Sequence, residues 1–195
     1  MRLVYLLILL CITGTLFAEE MRFGDSKYTN VLEDIKVHSE RIDSGGDNTQ
    51  KVHEGTHYIN SYLENTYRGY AWFYVLKNRV FRVRHPKITL TQVAQLVPLD
   101  QRTVTYNTYL VQSRTWWDHE PLYILNEWSA YHNGTECAIL EDKARAKYSH
   151  QCSQELLEYA LLMRKILPKD YNSKDLDIFM DWMKKEILRQ QSYFK

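Results

Sequence analysis

Residues 53–57 read H-E-G-T-H, and this segment constrains the fold of the 195-residue chain more than any other. On an α-helix, residues four positions apart lie on one face, so His53 and His57 can present imidazole nitrogens to a single ion. Glu54 lies on the neighbouring edge of that face, where its carboxylate can take a proton from a metal-bound water. The spacing therefore predicts a helix that carries two ligands of a Zn²⁺ site.

The residues around this motif have the pattern of an amphipathic helix. A turn cluster at residues 43–48 precedes it, and Asp47 or Asn48 is suited to cap the helix. We predict a helix over residues 49–67, ended by Gly69, that buries one side and offers the other to a cleft. The residues of the buried side are Val52, Thr56, Ile59 and Leu63. The open side carries His53, His57 and Asn60, and Asn60 either hydrogen-bonds near the metal or faces solvent.

The first 18 residues predict a secretory signal peptide that is not part of the fold. Arg2 supplies the positive start, residues 3–17 are predominantly apolar, and Ala18 is a small residue at the end of the run. An uncleaved N-terminal anchor is the alternative, but no second long apolar segment follows. We therefore expect a secreted protein, extracellular or periplasmic, with one domain over residues 19–195 and no stable membrane span after signal removal.

Charge and cysteine content limit the partners and the crosslinks of the mature chain. The 25 Lys and Arg residues balance 24 Asp and Glu residues, so composition gives no support for nucleic-acid binding. In an oxidising compartment Cys137 and Cys152 are expected to form one disulfide, which would stabilise the fold by roughly 3 kcal/mol; two free buried thiols are the alternative. Asn133 begins an N-G-T glycosylation sequon, which matters only in a eukaryotic secretory pathway.

Outside the motif the pattern predicts mostly helices and one β-hairpin. Residues 70–76 and 79–84 read as two strands joined by a tight turn at Lys77-Asn78. The further helices are expected over residues 28–42, 89–96, 103–114, 122–147, 153–167 and 173–191. Ser153 and Ser173 are predicted to cap the last two, and Gly134 is a possible break in the longest.

Aromatic and basic side chains in this region have two interpretations each. Trp116 and Trp117, in a predicted loop at residues 116–121, either line a groove or anchor the core, and the core is the commoner role. The basic side chains of the second strand, which either contact a partner or form the solvated face of the hairpin, are Arg79, Arg82 and Arg84.

A catalytic zinc site uses three protein ligands and leaves one position open. Residues 126–131, N-E-W-S-A-Y, lie in a predicted aromatic-rich helix, where an unpaired Glu127 carboxylate would be costly to bury. The segment resembles the N-E-x-x-[SA] segment of gluzincin metallopeptidases, the thermolysin-like group. The resemblance implies that Glu127 is the third zinc ligand and that peptides or proteins are the substrates. The alternative is that Glu127 is solvated, in which case Glu136 or His132 is the candidate third ligand.

The chain departs from the gluzincin pattern in two respects. The acid four residues after the glutamate ligand, which orients the first histidine in that family, is replaced by Tyr131, whose hydroxyl can hydrogen-bond instead. Zincin folds also place several strands before the motif helix, whereas residues 19–52 look helical. We therefore expect a mostly helical α+β domain of zincin-like type, in which the hairpin after the motif helix is the candidate for the missing sheet.

Three functional interpretations follow from these residues. In the first, the protein is a zinc metallopeptidase with Glu54 as general base, and a tyrosine stabilises the negative charge that develops on the carbonyl oxygen. The candidate tyrosines are Tyr109, Tyr123 and Tyr131. In the second, the domain is a secreted zinc-binding or interaction module without turnover. In the third, it is a structural helical protein in which the motif is accidental and no metal binds.

Overall fold

The computed structural model describes residues 21–22, 29–39 and 46–195. The predicted signal peptide, residues 1–18, lies outside the described residues. Among the helices that are described, none is long and apolar enough to cross a membrane.

The first half of the described chain brings one helix pair against a small sheet. Strand β1 is Met21–Arg22 and helix α1 is Val31–His38. Helix α2, Asn48–Thr66, carries the H-E-G-T-H segment and leads into strands β2, Ala71–Tyr74, and β3, Arg79–Val83. The predicted motif helix and hairpin are both confirmed.

The middle of the chain is broken into short helical turns. Helix α3 is Leu90–Leu96, and Thr89 and Gln92 close its capping box. The remaining short elements are a 3₁₀ turn at Leu99–Gln101, helix α4 at Val104–Tyr106, a π-helix at Asn107–Gln112 and helix α5 at Arg114–Trp117. The helix expected over residues 103–114 is therefore confirmed over residues 104–112, but its second part has a π register that was not predicted.

The π-helix results from a wider hydrogen-bond register. The Ser113 N–H donates to the Thr108 carbonyl five residues earlier, at 3.1 Å, and the Ser113 hydroxyl donates to the same oxygen at 2.9 Å. A π turn inserts an extra residue and rotates the side chains that follow, and such turns are frequent at functional sites.

The expectation that Trp116 and Trp117 more commonly anchor the core is corrected. Trp116 is 75% exposed and Trp117 is 44% exposed, so neither anchors the core.

Three long helices complete the fold. Helix α6 is Tyr123–Glu141, α7 is Lys143–Lys165 and α8 is Lys174–Gln191, followed by a 3₁₀ turn at Ser192–Phe194. The protein is thus mostly helical with a small antiparallel sheet, as predicted at the level of fold class.

The boundary between α6 and α7 differs from the prediction. Gly134 lies inside α6 and does not interrupt it; the break comes at Asp142. Asp142 has an extended backbone, and its carboxylate accepts hydrogen bonds from the Ala144 and Arg145 N–H groups at 2.9 and 3.1 Å, which caps α7. Ser153, expected to be a cap, is fully buried within α7.

The sheet has the antiparallel order β1-β3-β2 and separates two apolar clusters. Successive side chains of a strand point to opposite faces. Phe73 of β2 therefore packs in the cluster with α6, α7 and α8, whereas Trp72 and Tyr74 pack in the cluster with α1 and α2. Strand β1 was not foreseen, because residues 19–27 lack a strand pattern; pairing with β3 makes it a strand.

The basic side chains of β3, and Arg84 directly after it, are held by intramolecular contacts. Arg79 lies over the Trp182 ring, Arg82 pairs with Asp175 at 3.8 Å, and Arg84 lies over the Tyr70 ring. The structure therefore gives these side chains packing and pairing roles on the outside of the hairpin.

The two cysteines among the described residues and the sequon asparagine are buried. Cys137 on α6 and Cys152 on α7 are free thiols, so the expected disulfide is not formed. Cys152 lies 3.9 Å from the Thr105 hydroxyl, whereas Cys137 packs in the cluster with α1 and α2. Asn133 is fully buried and donates to the Thr56 hydroxyl and the Tyr74 carbonyl, both at 3.0 Å. In this fold the Asn133 amide connects α6 to α2 and to β2, and it is not accessible to glycosylation.

Candidate metal centre

Helix α2 holds the two motif histidines at its contact with α6. Its N-cap is Asp47, whose carboxylate accepts the Gln50 N–H at 2.9 Å. Because its apolar stripe is buried against the core, the adjacent face turns His53 and His57 toward α6. Their Nε2 atoms lie 3.1 Å apart.

Helix α6 supplies the predicted third ligand. The Glu127 Oε2 atom lies 3.5 Å from His53 Nε2 and 3.6 Å from His57 Nε2. Tetrahedral zinc ligands lie about 2.0–2.1 Å from the ion, which places neighbouring ligand atoms about 3.4 Å apart. The three observed separations match that edge length, so His53, His57 and Glu127 form a group that can hold one metal ion.

The burial of Glu127 also fits a metal. The residue is 6% exposed, and its Oε2 atom has no hydrogen-bond partner in the described part of the chain. Burial alone would raise the pKa of Glu127, but the imidazoles of His53 and His57 outweigh it and hold the pKa well below its usual range. Burying a carboxylate oxygen is costly unless it is paired, and a metal held between the two imidazoles would pair with it.

The tautomer of His57 is fixed by Asn126, the residue that precedes Glu127 on α6. His57 Nδ1 lies 3.0 Å from Asn126 Oδ1, and the Asn60 amide also donates to that oxygen at 2.7 Å. Because Oδ1 can only accept, Nδ1 of His57 must carry the proton. The lone pair of the neutral ring then lies on Nε2, which faces His53 and Glu127.

A buried chain of hydrogen bonds holds Asn126 in turn. Asn60 is 2% exposed; its Oδ1 accepts the Tyr74 N–H at 2.7 Å and its amide donates to the Ser129 hydroxyl at 3.0 Å. Of the two options for Asn60, the buried one near the histidines is correct. Sequence analysis assigned no role to Asn126 or Ser129, although both lie in the N-E-W-S segment that suggested Glu127.

Removing the Asn126 acceptor should weaken metal binding. We expect Asn126→Ala to lower Zn²⁺ affinity by about 10- to 100-fold, because His57 then loses the partner that fixes its ring and tautomer. Competition titration with a fluorescent zinc chelator measures the change. Asn65 is an exposed asparagine on α2, the helix that carries His57, so Asn65→Ala is the control and should leave the affinity unchanged. Equal affinities in the two variants would contradict the orienting role.

Metal binding should depend on pH through His57. Burial alone would lower the pKa of His57, but Glu127, and then Asn126, raise it above the ordinary 6.5. A protonated imidazole cannot bind a metal, so Zn²⁺ affinity should fall as pH drops through this raised pKa, by about tenfold per pH unit for one competing proton. At pH values above the raised pKa of His57, the Zn²⁺ affinity should level off. Isothermal titration between pH 5 and 8 checks the slope; a flat profile would contradict it.

A cavity of about 260 Å³ adjoins His53. Glu54 lies on its wall together with His53, Tyr109 and Tyr131. The Glu54 carboxylate is partly exposed, and its negative charge acts on His57 and on Tyr123. The general base predicted from sequence therefore faces a space in which a substrate can lie.

The three candidate tyrosines surround the ligand set. The Tyr109 and Tyr131 hydroxyls are hydrogen-bonded at 2.7 Å, and the Tyr131 ring packs edge-on against His53 with ring centres 4.7 Å apart. Burial, and the nearby Glu127 charge, raise the pKa of Tyr109, Tyr123 and Tyr131. All three phenols therefore keep their protons at neutral pH and can donate hydrogen bonds. The Tyr131 hydroxyl is hydrogen-bonded to the Tyr109 hydroxyl, whereas Tyr131 contacts His53 through its aromatic ring.

The alternative ligands Glu136 and His132 lie in a different cluster, together with Glu186. Glu136 pairs with Arg189 at 2.5 Å, and the same guanidinium pairs with Glu186 at 2.7 Å. His132 is 2% exposed, and burial lowers its pKa to about 3. Arg189 pairs with both carboxylates, so this cluster is an internal ion-pair network between α6 and α8.

The chain matches no protein family model, no curated protein and no solved structure. Function is therefore inferred from the chemistry of the site itself.

Proposed function

We propose that this protein is a secreted zinc-dependent metallopeptidase of gluzincin type. The observation that carries the proposal is the convergence of His53, His57 and Glu127, whose ligand atoms lie 3.1–3.6 Å apart. Two imidazoles and one carboxylate are a donor set typical of catalytic zinc. When bound, the metal would polarise water and the substrate carbonyl.

Side chains around the site would transfer the proton, stabilise the developing charge and orient the ligands. Glu54 takes a proton from the attacking water at its carboxylate and passes it to the leaving amine. Tyr131, with Tyr109 bonded to it, donates a hydrogen bond to the oxygen on which negative charge develops. Asn126 and Asn60 orient His57, so that the ligand geometry is set before substrate arrives.

Two features favour a catalytic over a purely structural site. Structural zinc sites are closed by four protein ligands, whereas the group described here offers three. The cavity next to His53 and Glu54 gives a substrate access to the open side. The non-catalytic zinc module and the accidental motif are the competing functions, and they differ from the peptidase in metal content and turnover.

Metal analysis and a cleavage assay on one purified sample test the proposal. We expect one equivalent of zinc per chain by plasma mass spectrometry, cleavage of members of a peptide library, loss of cleavage with a chelator and recovery with Zn²⁺. Zinc without cleavage would favour the binding module. No bound metal and no metal-dependent thermal shift would favour the accidental motif.

A further inference from the structure

The cavity beside His53 is built from four parts of the chain. Helix α2 contributes His53 and Glu54, the π-helix contributes Tyr109 and α6 contributes Tyr131. The first two turns of α7 contribute Arg145, Tyr148 and Ser149. Its volume of about 260 Å³ suits a part of an extended peptide, not a folded domain. A group bound there lies next to a metal ligand and the proposed general base.

Arg145 gives this cavity its one strongly basic group. Among the described residues that line it, Arg145 is the only lysine or arginine and Glu54 the only acid. The Arg145 side chain is 42% exposed and makes one long ion pair with Asp47 at 3.5 Å. Exposed pairs of this kind contribute little to stability, and a guanidinium has five N–H donors, so Arg145 can bind a second carboxylate without losing a strong contact.

Helix stability does not explain the position of Arg145. The residue lies in the first turn of α7, where Asp142 caps the helix and accepts the Arg145 backbone N–H at 3.1 Å. Cations are unfavourable at this end of a helix because the helix dipole is positive there. The break at Asp142 nevertheless brings this cation to the cavity next to His53.

A second cavity has a different lining. It measures about 300 Å³, borders Asn126, and is lined by Glu64, Glu120 and aromatic rings. His85 lies between the two carboxylates at 3.2 Å from each, so one imidazole faces two acids. Its described lining contains no lysine or arginine, whereas the cavity beside His53 offers the Arg145 guanidinium to a substrate carboxylate.

We propose that Arg145 binds a carboxylate of the substrate in the cavity beside His53 and Glu54, and so selects peptides with a negative charge next to the cleaved bond. The inference rests on the proposed peptidase function for its biological meaning, but the carboxylate site itself does not need turnover. The carboxylate belongs to an acidic side chain or to a peptide C-terminus, and both sources present the same planar pair of oxygens to the guanidinium fork.

The test measures peptide binding by fluorescence anisotropy in the presence of a chelator, which prevents metal-dependent cleavage. One set of labelled peptides carries Asp, Asn or Lys at a single position and an amidated C-terminus. A second set lacks acidic side chains and has a free or an amidated C-terminus. We expect the carboxylate-bearing member of at least one set to bind the wild-type chain about tenfold more tightly than its neutral partner.

Three variants test whether Arg145 causes the preference for carboxylate-bearing peptides. Arg145→Gln should abolish it, and Arg145→Glu should reverse it in favour of the Lys peptide. Lys147→Glu, the same charge change at an exposed position of α7, should leave it intact. Circular dichroism on each variant shows that the fold is retained, and Arg145→Gln carries the test if Arg145→Glu unfolds.

The outcomes separate this inference from the proposed function. Weak binding of every peptide, a wild-type chain without preference, or a preference that survives in Arg145→Gln overturns the carboxylate site. Cleavage of library peptides by the zinc-loaded chain without any acidic preference also overturns it, and leaves the peptidase standing. Arg145-dependent binding without cleavage keeps the carboxylate site and removes the peptidase.

Discussion

Glu54→Gln should slow peptide hydrolysis severely while the protein keeps its zinc. Glutamine has nearly the shape of glutamate but cannot accept a proton, so the variant should lose the general base without disturbing His53 and His57. General acid–base catalysis contributes about 10²- to 10⁴-fold to rate, and we expect kcat to fall by that range. Progress curves with a cleavable fluorogenic peptide give the rate, and plasma mass spectrometry gives the metal content.

A matched control separates the loss of a base from the loss of a charge. Glu158→Gln makes the same change at an exposed position of α7 and should leave the rate unchanged. Retained hydrolysis in Glu54→Gln would refute the assigned role. Loss of zinc in the variant would show instead that Glu54 supports the ligand set.

His57→Ala should lose the metal altogether. Two of the three ligand atoms, from His53 and Glu127, would remain, and the Glu127 carboxylate would keep only one imidazole close to it. A ligand that binds the native state raises its stability in proportion to the logarithm of ligand concentration over Kd. Wild-type protein should therefore show a rising melting temperature with added Zn²⁺, and His57→Ala should show none.

The comparison requires a histidine that does not face the site. His119 is exposed and lies outside the ligand group, so His119→Ala should keep both the bound zinc and the zinc-dependent shift in melting temperature. One equivalent of tightly bound zinc in His57→Ala would place the metal elsewhere in the protein and remove the basis of the proposed function.

Several local structures were predictable because nearby residues determine them. Asp47 accepts the Gln50 N–H, and the apolar spacing of Val52, Ile59 and Leu63 follows the helical period, so α2 could be placed from its own residues. The hairpin was predictable for the same reason, since its strands are rich in aromatic and β-branched residues and a short connection joins them. The turn at Asp142 was missed, although aspartate is a favoured cap, because the apolar pattern runs on across it.

The sequence by itself determined the helix on which His53, Glu54 and His57 share one face, because the period of a helix is a local property. Only the tertiary structure decided that Glu127 meets those histidines, that Asn60 holds Asn126 against His57, and that Arg145 reaches their cavity. Each of these contacts joins residues far apart in the chain. They depend on how α2, α6 and α7 pack, which residue spacing within one segment does not encode.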